Sequence, residues 1–234
     1  MINNQSERVL KGIGVFRGPA QNTQFNQIVE LIKVAIPHFV VSAQSEQITN
    51  ENGLNRKLAR FITSIADNRS LPYVAYPESM EDESRGDSPA TDFGIHLKVD
   101  DISVDQPLIT KFEGKRLSKH TGIARRREYV VGHEKDGKYM PCGGIERFKR
   151  SIHGRSFRHA GMIGYIQDGS PTFWLEQINS WISELADQIT SPSWSADEQL
   201  RPLQSTNQFS ETASIVKREA DQLHLTHLWV SLVE

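Results

Sequence analysis

Thr91 to Val99 reads TDFGIHLKV and, after a turn region at Asp100 to Gln106, Pro107 to Leu117 reads PLITKFEGKRL. In the first run Phe93, Ile95, Leu97 and Val99 alternate with Asp92, Gly94, His96 and Lys98, the two-residue period of a half-buried strand. The second run is its hairpin partner. Side chains two residues apart on a strand share a face, so Glu113 and Lys115 project together. Asp92 lies on the polar side of the first strand. Two carboxylates meeting across a hairpin form a hard-oxygen site suited to Mg2+ or Mn2+. A neighbouring ammonium orients or helps deprotonate water and stabilises developing negative charge. The competing reading is an ordinary salt bridge between surface strands. Among the eight histidines no pair has metal-ligand spacing, and only His96 shares the Asp92 face.

Outward from the hairpin, helical and extended segments are mixed. Gln24 to Ile36 carries Phe25, Ile28, Val29, Ile32 and Ala35 at helical spacing; Pro37 is expected to stop it, with a short extended run from His38 to Ser42. A second helix is expected over Ser45 to Asp67, with Ile48, Leu58, Phe61, Ile62 and Ile65 on one stripe. That stripe puts Glu51 on the inward face, where a carboxylate is costly unless it is paired or meets a metal. A charge favoured by the helix dipole is the alternative, and Glu46 competes for the same role. Leu71 to Pro77 reads as an edge strand. His120 to Pro141 is polar, Gly- and Arg-rich and too long for an idle connection, which marks a functional loop. Gly144 to Ile152 reads as a short helix and His159 to Gln167 as an apolar strand. Ser170 and Pro171 open an amphipathic helix to Ile189. A loop with Pro192 and Pro202 then leads to a strand at Leu225 to Val233. Trp174, Trp181 and Trp229 fall on apolar stripes and read as core. The class is α/β.

The 234 residues, 37% hydrophobic and 24% charged, suit one full-sized core. No run approaches the roughly 18 consecutive apolar residues of a membrane span, and Met1 to Glu7 is too polar for a secretory leader. Cys142 is the only cysteine, which excludes an intramolecular disulfide and, on this reading, a cysteine-based zinc site. A reducing, cytoplasmic setting is expected. The net charge of −2 hides a segregation: Lys111 to Arg158 holds fourteen basic against five acidic residues, a local +9. Glu78, Glu81, Asp82, Glu83 and Asp87 form an acidic loop before it. Such a basic stretch suggests a polyanion-binding face, with a solvated charged loop as the plain alternative. Arg125, Arg126 and Arg127 suit phosphate contacts, and Arg147, Lys149, Arg150, His153 and Arg155 line a groove around the short helix. A phosphate-cradling Gly loop and a nucleophile elbow are both missing, which argues against ATP use and covalent catalysis.

A helix with an inward Glu51, a hairpin bearing Asp92 then Glu113-x-Lys115, and a following helix–strand pair resemble the PD-(D/E)XK phosphodiesterase superfamily. More specifically, the chain is similar to an uncharacterised bacterial branch of it. The supporting strings are Glu113-Gly114-Lys115-Arg116-Leu117, Gly143-Gly144-Ile145-Glu146-Arg147-Phe148, Ala160-Gly161-Met162-Ile163-Gly164-Tyr165 and Leu225-Thr226-His227-Leu228-Trp229-Val230. They cover the chain from about Glu46 onward. The resemblance implies a restriction-endonuclease-like mixed central sheet flanked by helices: one nuclease-like domain over 1–234, with 1–44 as an N-terminal helical extension. It implies metal-dependent phosphodiester hydrolysis, with Asp92 and Glu113 as ligands of Mg2+ or Mn2+, Lys115 beside the attacking water and Glu51 in support. Two departures stand out. The first acidic position reads Thr91-Asp92 rather than Pro-Asp, and Gly114 stands where a hydrophobe is usual, as if to admit a ligand against the backbone.

The leading expectation is a nuclease acting on nucleic acid, DNA foremost, in bacterial antiphage defence, with Arg116, Arg125, Arg126, Arg127, Arg147 and Arg150 on the phosphates. Its partners would be nucleic acid and either a second copy or another protein of a defence system, without a membrane. The alternatives are a catalytically inert nucleic-acid-binding subunit on the same fold and a protein-interaction module with an acidic partner.

Overall fold

The computed structural model describes residues 21–80, 90–101, 103, 105–206 and 208–233. Helix α1, Gln21–Ser45, is followed by α2, Glu51–Asn68, and by strands β1, Tyr73–Met80, β2, Ala90–Leu97, and β3, Leu108–Leu117. A loop region then holds α3, Ile123–Arg127, and the small ribbon of β4, His133–Lys135, and β5, Lys138–Met140. Next come α4, Gly144–Lys149, β6, His159–Ile166, and α5, Pro171–Ala186. The chain ends, beyond a 3-10 turn at Ala196–Glu198, with β7, Gln204–Ser205, β8, Phe209–Lys217, and β9, Gln222–Ser231.

Seven strands form one mixed sheet in the order β1-β2-β3-β6-β9-β8-β7, so β1 is an edge, as Pro77 within it and Pro72 just before it suggest. β3, β6 and β9 run parallel to one another at its centre, and the outer pairings are antiparallel. Helices cover both faces, an α/β arrangement. On one face α1 and α2 pack on Phe93, Ile95, Phe112, Ile163, Tyr165, Leu228 and Val230; on the other, Trp174, Ile178, Trp181 and Ile182 of α5 meet Met162, Ile166 and Trp229. The three tryptophans expected in the core are buried there.

The expected break at Pro37 does not occur. α1 runs through it to Ser45, because Ile36 and Phe39 on either side are fully buried against the sheet and that packing outweighs the lost backbone hydrogen bond. α1 is also long and apolar enough to cross a membrane by length and composition, a property that a search for consecutive apolar residues overlooks; its apolar stripe forms part of the core. α2 starts later than expected, after a turn with Gln47 at φ 52°, where the Asn50 side chain accepts from Gly53 N at 2.8 Å and caps the helix. The sequence reading missed β8 altogether. Its buried face is Ser210, Thr212, Ser214 and Val216, so hydrophobicity does not mark the alternation. Of the acidic loop, Glu78 lies in β1 and pairs with Arg56 at 2.6 Å; Glu81, Asp82, Glu83 and Asp87 lie outside the described residues.

Candidate functional site

The hairpin register pairs Phe93 with Phe112, whose rings stack at 5.2 Å beneath α1 and α2. The adjacent Asp92 and Glu113 therefore share the opposite face. Glu113 is only 1% exposed and Lys115 6%. Lys115 Nζ lies 3.0 Å from Glu113 Oε1 and 3.1 Å from Glu51 Oε1, while Asp92 Oδ2 accepts from Gly114 N at 2.6 Å. Glu51, at the start of α2, also accepts from the Arg116 amide at 3.1 Å and from Arg125 Nη2 at 3.0 Å through Oε2. All four predicted residues thus meet at one place. The competitor Glu46 pairs instead with Lys57 at the surface, and His96 bonds the Gln106 carbonyl.

Two partners of Glu113 lie in a region the sequence reading gave to nucleic acid. Arg147, on α4, donates to Glu113 Oε1 at 3.0 Å, and the fully buried His153 places Nε2 at 3.5 Å from Oε2. α4 lies in the crossover that follows β3, and parallel β3–β6 pairing brings the end of that crossover back over Glu113, a placement that no local sequence pattern marks. Glu113 Oε2 is buried and accepts no hydrogen bond among the described residues.

Electrostatics separate the two hairpin carboxylates. Burial, with the charges of Glu113 and Glu51, pushes Asp92 up to about 7 against the opposing pull of Lys115 and the Gly114 amide. Burial acts upward on Glu113 too, but Lys115, His153 and Arg147 outweigh it and hold that carboxyl below its ordinary value. Burial acts downward on Lys115, yet Glu113, Glu51 and Asp92 together overcome it and raise the ammonium above the ordinary lysine value. Glu113 thus keeps one buried oxygen that accepts no hydrogen bond among the described residues, beside the Asp92 carboxyl, while its other oxygen is held by Lys115 and Arg147.

Gly114 admits no ligand. A Cβ there would sit 2.0 Å from Asn55 Oδ1, which itself accepts from the Tyr165 hydroxyl at 2.8 Å; the space belongs to α2. Of the residues expected around the short helix, Lys149 borders a cavity with Arg150 and Arg155, and His153 another with Arg147, but both side chains are buried and already engaged. Lys149 is buried against Glu198 at 2.7 Å, and His153 is the buried neighbour of Glu113. Arg125 joins Glu51 to Glu128, Arg127 pairs with Glu184 at 3.1 Å and Arg150 with Glu146 at 2.7 Å. Arg116 donates to the Thr49 carbonyl at 3.4 Å, and Arg126 is half-buried.

A second cluster overturns the exclusion of cysteine. Glu128, His133 and Cys142 bring one ligand atom each within 4.8 Å of one another, so this group is able to hold a metal ion. Counting cysteines missed it because His133 and Glu128 complete the set. Such a site is compatible with metal-dependent enzyme chemistry in general. Comparison with protein-family models, curated proteins and solved structures finds no match.

Proposed function

We propose that this chain is a metal-dependent nuclease hydrolysing phosphodiester bonds of nucleic acid, DNA foremost, with the restriction-endonuclease-like architecture its motifs resemble. The observation that carries this reading is the buried Glu113 carboxylate, with one oxygen that accepts no hydrogen bond among the described residues, sharing a strand face with Asp92 and Lys115. Asp92 and Glu113 would hold Mg2+ or Mn2+, with Glu51 in support. A bound divalent cation supplies positive charge to the phosphoryl oxygens and acidifies water. Lys115, its proton held by three carboxylates, does not serve as a base; it orients the attacking water and stabilises charge that develops in the transition state. Glu51 fixes Lys115 and Arg125 in place. Of the arginines expected on the phosphates, Arg116 and Arg126 have no carboxylate partner among the described residues and would make the first contacts, whereas Arg125, Arg127, Arg147 and Arg150 would have to exchange the carboxylates they now hold. Bacterial defence and a second copy or partner protein follow from the resemblance, and a cytoplasmic setting from the single cysteine and the polar first residues.

One observation favours a second reading. Lys115, Arg147 and Arg125 already neutralise Glu113 and Glu51, as they would permanently in an inert nucleic-acid-binding subunit. Cleavage of single- and double-stranded DNA and RNA with Mg2+, Mn2+ or chelator separates the two. The nuclease cuts at least one substrate with metal and none with chelator, and Asp92→Asn and Glu113→Gln abolish cutting while the protein still melts cooperatively. Metal-independent binding without cleavage supports the inert subunit.

A further inference from the structure

We propose that Glu128, His133 and Cys142 form a zinc-class site that staples the loop between β3 and α4, separate from the acidic cluster. The three side chains come from the end of α3, from β4 and from the segment after β5. The backbone holds these segments close: His133 pairs with Met140 across the ribbon, Cys142 N donates to the Met140 carbonyl at 2.8 Å, and Gly144 N donates to the Glu128 carbonyl at 2.8 Å. Close approach of the ribbon strands depends on Gly132, where a Cβ would fall 1.9 Å from the Met140 carbonyl oxygen.

Both spacings about His133 suit a tetrahedral ion, and the third lies within 4.8 Å. Metal–ligand bonds of about 2.0–2.3 Å make the edges of a tetrahedron roughly 3.3–3.8 Å. His133 Nδ1 lies 3.3 Å from Glu128 Oε1 and 3.5 Å from Cys142 Sγ. Glu128 keeps its other oxygen on Arg125, which orients the carboxylate and leaves Oε1 turned towards His133. A thiolate and an imidazole select a borderline-soft ion such as Zn2+ over Mg2+ or Ca2+, which prefer all-oxygen shells. Three protein ligands leave a fourth position for water.

An ion would add a second clamp to the one that Tyr139 and the Gly132 amide make to Glu146 of α4. β4 and β5 are three residues each and almost wholly exposed, and a two-stranded ribbon without an apolar face is marginal alone. Closing it through an ion adds binding free energy directly to the order of the loop.

Cobalt titration of the full, chelator-treated chain tests this without any reference to nuclease activity. The expected result is one thiolate-ligated equivalent of Co2+ per chain, read from a thiolate-to-cobalt absorption band and tetrahedral visible bands, whatever further Co2+ the acidic cluster takes up. Zn2+ should displace it and excess Mg2+ should not. Cys142→Ser should remove the thiolate band, and His133→Ala should weaken Co2+ binding at least about tenfold. Asp92→Asn should leave the spectrum unchanged. Since Cys142 and His133 are only half-buried, both variants should keep the wild-type far-ultraviolet circular dichroism. A wild-type chain without a thiolate band, or a spectrum unaltered in Cys142→Ser and His133→Ala, overturns the assignment.

Discussion

Asp92 is the residue on which the acidic cluster turns. Its folded-state pKa of about 7 lies above the ordinary 3.8, so the fold favours the neutral carboxyl. That contribution is fully present below the ordinary value and is lost as pH rises through about 7. Asp92→Asn keeps an acceptor for the Gly114 amide and removes the titration. It should therefore melt above wild type at pH 8 by more than at pH 5, each kcal/mol being worth about 2–4 °C in a chain of this size; equal differences at both pH values would contradict the burial account. Metal needs the ionised form, so Mg2+ affinity should fall roughly tenfold per pH unit below about 7, measured by calorimetric titration. Asp92, Glu113 and Lys115 were legible in the sequence because a strand's two-residue period fixes which side chains share a face. Arg147 and His153 were not, because their approach to Glu113 depends on the long crossover from Leu117, at the end of β3, to His159, at the start of β6.

At the scale of elements, the sheet edge and the hairpin could be read from alternation and proline placement, and α5 from its Ser170-Pro171 start. α1 and β8 could not. In α1 the local signal of Pro37 is overruled by burial on both sides; in β8 the buried positions are mostly small hydroxyl side chains that carry no hydrophobic signature. Since α1 is continuous, Pro37→Ala should restore a backbone hydrogen bond and raise stability by up to about 3 kcal/mol, read by urea denaturation. A lower midpoint would show that the chain needs a break there. Where α2 meets β3, Gly114 provides room for Asn55. Gly114→Ala should cost about 1–3 kcal/mol by overpacking, and Asn55→Ala in the same chain should recover part of that stability. A thermal melt of Gly114→Ala equal to wild type would mean that α2 and β3 do not touch at this point.

For the whole molecule, the local +9 of the sequence overstates the free positive surface. Glu51, Glu184 and Glu198, all outside the Lys111 to Arg158 stretch, take up charge from Lys115, Arg125, Arg127 and Lys149. Nucleic-acid affinity should accordingly depend on fewer phosphates than the number of basic residues suggests. Arg126→Ala with Arg127→Ala should flatten the slope of log affinity against log salt by roughly 0.9 for each duplex phosphate that the variant no longer neutralises; an unchanged slope would assign these arginines to solvent. The central claim, that the Asp92–Glu113–Lys115 face hydrolyses phosphodiesters, is tested most directly by measuring binding and single-turnover cleavage side by side for wild type and Lys115→Ala with Mg2+ or Mn2+. Loss of one preorganised cation should slow cleavage by about 10²–10³-fold while binding changes little. Equal cleavage rates for the two proteins, or a wild type that cuts no nucleic acid with either metal, would contradict it.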